Sequence, residues 1–267
     1  MIPSVLSIAG SDPSGGAGIQ ADIKAICANG GYAMAVVTAL TVQNTQGVSD
    51  VAPVAPDLVK RQIEAILSDM RVDAIKIGML GHADVVKVVA ACLEGISVPV
   101  VLDPVLTSTS GASLLDGAGR AALMELLLPR VSIITPNLPE AAVLLGCDAA
   151  LDREEMCKQA EALQAFGPDV LLKGGHLPGE ACADLLVSQG KSQWYEAKRV
   201  SGRNSHGTGC TLSSALACQL AAGEPITPAV QAAKDYTLQA LIAGQTLNLG
   251  TGKGPLDHFF AMRDQGV

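Results

Sequence analysis

The chain has 267 residues, enough for a large α/β domain with a substantial core. Nearly half of them (49%) are hydrophobic but only 3% are aromatic, so the core must be built from Ala, Val, Leu and Ile, as in parallel strands covered by helices on both faces. A formal charge of −8 leaves no basic footprint for nucleic acid, and seven cysteines without a Cys-x-x-Cys pair argue against a zinc site or a disulfide framework.

A buried strand is predicted over residues 5–9. It runs into Gly10-Ser-Asp-Pro-Ser-Gly-Gly-Ala-Gly18, which is too rich in Gly and Pro for regular structure. A helix over 19–28 is stopped by Asn29-Gly30-Gly31. Strands follow over 33–40 and, at a sheet edge, 48–54. The uncharged stretch 25–49 is no membrane span: its continuous apolar part is about a dozen residues, where a spanning helix needs roughly 20. The start, Met1-Ile2-Pro3-Ser4, has no positive n-region, so no secretory signal is expected. With reduced cysteines, that points to a cytoplasmic protein.

Further on, helices are predicted over 56–70, 84–93 and 118–128, alternating with strands over 74–77, 98–102 and 131–134. A short helix covers 140–145, and Asp152 with Glu155 caps a helix reaching Phe166. A strand over 170–173 and a hairpin of 183–187 with 192–197 follow. Helices over 208–222 and from Thr227-Pro228 to Ala243 close the pattern, and the tail after Gly250 reads as loop. The alternation has no long linker and no internal repeat. One doubly wound domain over residues 1–267 is the economical expectation, with ligands beyond the carboxyl ends of its strands. Asp12, Gln43, Met79, Asp103, Asn137 and Lys173 all fall at predicted strand ends.

In Asn204-Ser-His-Gly-Thr-Gly-Cys-Thr-Leu-Ser-Ser214, a loop of small residues enters an apolar helix. Free N–H groups at such a helix start attract an anion, and Gly207 and Gly209 allow close backbone approach. A tight structural turn uses the same letters, so Gly-Thr-Gly alone decides nothing. No Walker-type loop competes with it: Gly250-Thr-Gly-Lys253 has Leu247 and Gly254 where Gly and Ser or Thr are needed.

Seven segments together carry a resemblance. They are Ala9-Gly-Ser-Asp-Pro-Ser-Gly-Gly-Ala-Gly-Ile-Gln-Ala-Asp22, Thr38-Ala-Leu-Thr-Val-Gln-Asn-Thr45, Lys76-Ile-Gly-Met-Leu80, Asp103-Pro-Val105, Thr135-Pro-Asn-Leu-Pro-Glu140, Lys173-Gly-Gly-His176 and Ser205-His-Gly-Thr-Gly-Cys-Thr-Leu-Ser213. In this order and over most of the chain, the sequence resembles the ribokinase-like superfamily, and within it the hydroxymethylpyrimidine/phosphomethylpyrimidine kinases of thiamine biosynthesis. Ser205 stands where the family more usually has Thr. The resemblance implies a ribokinase-like, mostly parallel sheet in a three-layer α/β/α arrangement, use of ATP and Mg²⁺, and a homodimer. It implies two successive phosphorylations, of the pyrimidine alcohol and then of its monophosphate.

It also implies residue roles. Gly207, Thr208, Gly209 and Cys210 would form an anion hole, with Cys210 the catalytic base at the position where sugar kinases have Asp. A helix N-terminus lowers a thiol pKa, so a thiolate is expected there. Asn137 and Glu140 would stand on the metal side, although Pro139 and Glu140 in a first helical turn are also ordinary capping. Lys173, Asp103, Asn137 and Thr208 would meet ATP. Asp22 and Gln43 would read the aminopyrimidine, with Gly10, Ala17, Met79 and Val105 shaping its pocket. His176 and His206 receive no role, and residues 106–113 are one candidate for a cover over the site. A pyridoxal or pyridoxine kinase of the same fold is the main alternative. A binding protein without turnover is disfavoured by the intact set of polar residues. A nicotinamide dehydrogenase is disfavoured because no G-x-G-x-x-G follows the first strand.

Overall fold

The structure is a computed structural model that describes residues 1–107, 114–179 and 181–263. Among the described residues nine strands form one sheet in the order β3-β2-β1-β4-β5-β6-β7-β8-β9. They are β1 (Ser4–Ser11), β2 (Tyr32–Asn44), β3 (Gly47–Pro53), β4 (Ala74–Ile77), β5 (Val100–Leu102), β6 (Ile133–Ile134), β7 (Asp169–Leu172), β8 (Ala181–Ser188) and β9 (Lys191–Lys198). The six central strands β2, β1, β4, β5, β6 and β7 pair in parallel, while β3 and the β8–β9 hairpin add antiparallel edges.

Period-2 alternation sends neighbouring residues to opposite faces. Leu6, Ile8, Ile75, Ile77 and Leu102 pack under α2 (Pro56–Asp69), α3 (Ala83–Cys92), α4 (Gly117–Ala122), α5 (Leu138–Leu145) and α6 (Arg153–Gln164). Val5, Val101, Ile133 and Leu171 pack under α7 (Thr208–Ala221) and α8 (Ile226–Gly244), with Ile26 of α1 (Gly18–Ala28) in the same cluster. Three layers result, as the sequence implied.

The differences from expectation are local. Strand β2 runs to Asn44, so Gln43 lies inside a strand and not after one. Antiparallel pairing with β3 carries it onward, with Gln43 opposite Val48. The helix expected over 118–128 passes into a π-helical turn at Leu123–Leu127 and a 3-10 turn at Leu128–Arg130, where Pro129 ends it. The strand expected over 131–134 keeps only Ile133–Ile134. Helix α8 starts at Ile226, one residue ahead of Thr227. The tail is more than loop: Leu256, Asp257 and His258 are buried and a short α9 (Phe260–Arg263) follows. Asp152 caps α6 as expected, accepting the Glu155 N–H at 2.9 Å. Most of the proposed cover, residues 108–113, lies outside the described residues.

Candidate active site

Beyond the carboxyl ends of the parallel strands lies a cavity of about 400 Å³. One wall is the start of α7. Gly207 caps that helix in the left-handed conformation (φ +83°), and a Cβ there would stand 1.8 Å from the Gly16 carbonyl. Only glycine therefore lets the 10–18 loop lie against the helix start. The first N–H groups of α7 lack intrahelical acceptors and border the cavity.

One end of the cavity is charged. Lys173 donates to Asp103 Oδ1 at 2.9 Å, and the Thr135 hydroxyl donates to the same oxygen at 3.2 Å. Asn137 and Glu140 form a complete capping box: the Glu140 N–H donates to Asn137 Oδ1 at 2.8 Å, and the Asn137 N–H to Glu140 Oε2 at 2.9 Å. Burial pushes the Glu140 carboxyl up to about 7, with Lys173 opposing and Asp103 adding to the rise. Burial disfavours the Lys173 ammonium, but Asp103 and Glu140 outweigh it and hold it above the usual lysine range.

The other end is mostly apolar. Met79 lies over Gly10, where an added Cβ would come within 2.5 Å of its Cε. Ala17 and Val105 complete that wall, and Gln43 enters from β2. His206 Nε2 stands 3.1 Å from Gln43 Nε2 and 2.8 Å from Asp12 Oδ2.

Beneath the floor, Lys76 donates to both Asp22 oxygens at 2.8 Å, and both side chains are fully buried. Asp22 also accepts from Ser7 at 2.6 Å and Ser214 at 2.8 Å. Cys210 sits on the first turn of α7 above this pair. Its expected depression does not hold. Burial pushes the thiol up to about 11, with Asp22 and Asp103 adding to the rise, against Lys76 and a Gly18 N–H aimed at the sulfur. Desolvation of a thiolate outweighs the helix start.

The family model described as phosphomethylpyrimidine kinase matches residues 12–257. The chain belongs to this family. A hydroxymethylpyrimidine/phosphomethylpyrimidine kinase of Rhizobium meliloti is 46% identical over 260 residues, covering 97% of this chain and 98% of that one. The crystal structure of a phosphomethylpyrimidine kinase from Clostridium difficile matches at 40% identity and TM-score 0.80, over 90% of this chain and all of that one. Pyridoxal kinase from Staphylococcus aureus, in complex with AMP-PCP and pyridoxal, matches at 32% identity and TM-score 0.89, over 98% and 96% of the two chains. The ribokinase-like fold is thereby shown.

Within this family fold, every candidate residue named from the sequence lines the cavity except Asp22. Gly10, Ala17, Gln43, Met79 and Val105 gather at the apolar end. Asp103, Asn137, Glu140 and Lys173 gather at the charged end, and Gly207, Thr208, Gly209 and Cys210 lie between. Asp22 is corrected: its carboxylate is consumed by Lys76, Ser7 and Ser214, so it supports the floor and cannot face a ligand. Lys76, Asp12, His176 and His206, which went without a role, also line the cavity. A lone Lys in the apolar strand Ala74-Ile-Lys-Ile77 was the available signal for the first. Among the described residues no group of three or more His, Cys, Asp or Glu is placed to hold a metal.

Proposed function

We propose that this enzyme transfers phosphoryl groups from ATP to 4-amino-5-hydroxymethyl-2-methylpyrimidine and then to its monophosphate, in thiamine biosynthesis. The observation that carries this reading is the position of Cys210. It lies on an anion-attracting helix start, between a mostly apolar end that holds the Gln43 carboxamide beside His206 and an end holding Lys173, Asp103 and Glu140. An uncharged aminopyrimidine suits the first end and a triphosphate the second. The 46% identity to pyrimidine kinases, against 32% to pyridoxal kinases, favours the pyrimidine ring.

Lys173 and the N–H groups of Thr208, Gly209 and Cys210 would hold the transferring phosphate and stabilise its charge. Cys210 would take the alcohol proton in the first step, with Lys76 favouring its thiolate against burial. Asp103, Glu140 and Asn137 offer two carboxylates and a carboxamide. That set fits Mg²⁺, which keeps waters and phosphate oxygens and seldom takes an all-protein cage. When bound, the ion would neutralise phosphate charge.

The rest of the reading is one kinase domain over residues 1–267, cytoplasmic and homodimeric, without nucleic-acid or membrane partners. No described helix is long and apolar enough to cross a membrane. Leu40 and Val42, on the face of β2 opposite Thr41 and Gln43, are exposed at 55% and 59% and suit a contact between copies. Turnover with ATP on the pyrimidine alcohol, its monophosphate and pyridoxal is the test. Both pyrimidines should be phosphorylated and pyridoxal much more slowly. Phosphorylation of pyridoxal alone would overturn the reading.

A further inference from the structure

A further lysine–aspartate pair lies behind the loop that follows Lys173. Lys234 of α8 donates to Asp184 Oδ2 of β8 at 2.5 Å, and both side chains are buried. The other carboxylate oxygen, Oδ1, accepts the Gly174 N–H at 2.9 Å. Neither charged side chain borders the cavity, yet the glycine they hold is the next residue after Lys173, which does.

The pair meets the chain between two other fixed points. On one side, the Lys173 N–H donates to the Pro136 carbonyl at 2.8 Å. On the other, the Arg199 guanidinium donates to the Gly175, Leu177 and Gly179 carbonyls at 2.7, 2.6 and 2.9 Å. Strands β7 and β8 pair as far as Leu172 and Leu185, and the next free donor, the Gly174 N–H, goes to a carboxylate instead of a carbonyl. Gly174 lies so close to β8 that a Cβ would stand 1.9 Å from the Ala183 carbonyl oxygen. A side chain therefore orients the peptide that joins Lys173 to Gly174. Lys173 follows β7 and Asp103 follows β5, with β6 between them, so their contact crosses about 10 Å between strand axes. That takes most of the combined reach of a lysine and an aspartate, and a shift of the Lys173 backbone moves its ammonium.

We infer that Asp184, with Lys234 as its counterion, is a positioning residue for Lys173: it orients the peptide between Lys173 and Gly174, and so aims the Lys173 ammonium into the cavity. This rests on Lys173 meeting ATP, as proposed above. Two donors converge on Asp184, and a carboxylate gives each an oxygen. A carboxamide has one oxygen, and its N–H end must face the other donor. The ammonium is the stronger claimant, so the Gly174 N–H is the one left facing a donor.

The test is steady-state kinetics of folded Asp184→Asn, alone, with Lys234→Met, and in a Lys173→Met background. A misplacement of about 1 Å can cost as much as about 10²-fold, so Asp184→Asn should lower kcat/KM for ATP roughly tenfold or more while KM for the pyrimidine stays within about twofold. Adding Lys234→Met removes the competing ammonium, leaves the amide oxygen to the Gly174 N–H, and should recover most of the loss. In the Lys173→Met background Asp184→Asn should cost nothing further, because the group it aims is gone. Unchanged ATP kinetics in Asp184→Asn, equal losses for ATP and pyrimidine, no recovery in the double variant, or a full further loss without Lys173 overturns the inference. If Asp184→Asn does not fold, Asp184→Leu with Lys234→Met removes the pair and the acceptor together, and an unchanged kcat/KM for ATP there is equally fatal. A Lys173→Met variant that keeps its ATP kinetics overturns the role proposed for Lys173, and this inference with it.

Discussion

Lys76 with Asp22 and Lys173 with Asp103 are the same ion pair in two settings. Both border the cavity and both bond at under 3 Å. The Lys76 pair is wholly buried, and Asp22 is saturated by two further hydroxyls. The Lys173 side chain keeps 15% of its exposure and shares Asp103 with a single threonine. An ammonium in the first setting can only hold a fixed field. In the second it can leave its carboxylate for a phosphate oxygen. The chemistry of the pair is thus set less by its members than by how many of their bonds are already taken.

The largest effect should come from breaking the closed pair. Lys76→Met leaves Asp22 buried without its cation and should destabilise the protein by about 3–5 kcal/mol. The double variant Lys76→Met with Asp22→Leu should recover most of that loss, as read by chemical denaturation, because a buried pair is replaced by apolar packing. Failure to recover would mean that Lys76 does more for stability than answer Asp22.

Breaking the open pair should do the opposite. Lys173→Met should lower kcat/KM for ATP by roughly 10²–10³-fold, the scale for removing one aimed donor of a phosphoryl site. Its stability loss should be smaller, about 1–3 kcal/mol, since the buried Asp103 keeps the Thr135 hydroxyl and borders the cavity. Equal stability losses in the two lysine variants would erase the contrast.

Cys210 lies between the pairs and sharpens the contrast by reaction step. The first phosphorylation removes a proton from an alcohol, and the second acts on a phosphate. Cys210→Ala should slow single turnovers of the first step by roughly 10²-fold and those of the second far less. Equal losses would leave the residue only a part in the anion hole.

The strand-end loops were readable because Gly, Pro, Asp and Asn crowd there, and no regular element can absorb them. The capping box of Asn137 and Glu140 was readable from its three-residue spacing. Asp22 was misassigned because helix α1 turns it inward beneath β1, and only tertiary packing shows that Lys76 and Ser214 meet it there. Lys76 was given no role because sequence alone does not show which buried group its charge would meet. The end of β2 was misread at residue 40 because the polar Thr41, Gln43 and Asn44 interrupt the apolar run, while the strand continues to the turn of a hairpin that carries Gln43 over the cavity. The thiol of Cys210 was misjudged because helix position is visible in sequence and burial is not.

Gly209→Ala should give the smallest effect and the finest test of the open pair. A Cβ at this position would stand 3.1 Å from Lys173 Nζ and 3.2 Å from Asp103 Oδ2. Both contacts are to side-chain ends, and the lysine can swing away, so the fold has little reason to resist. Alanine also favours the helix over glycine by about 1 kcal/mol. Stability should therefore stay within about 1 kcal/mol of wild type, or rise slightly. The methyl group nevertheless points at the place where Lys173 and a phosphate would have to meet. Turnover with ATP should fall about tenfold, near 1.4 kcal/mol in the transition state, with most of the change in KM for ATP. Stability and activity would then move apart at one methyl group. They could not do so if the Lys173 pair were as closed as the pair beneath it.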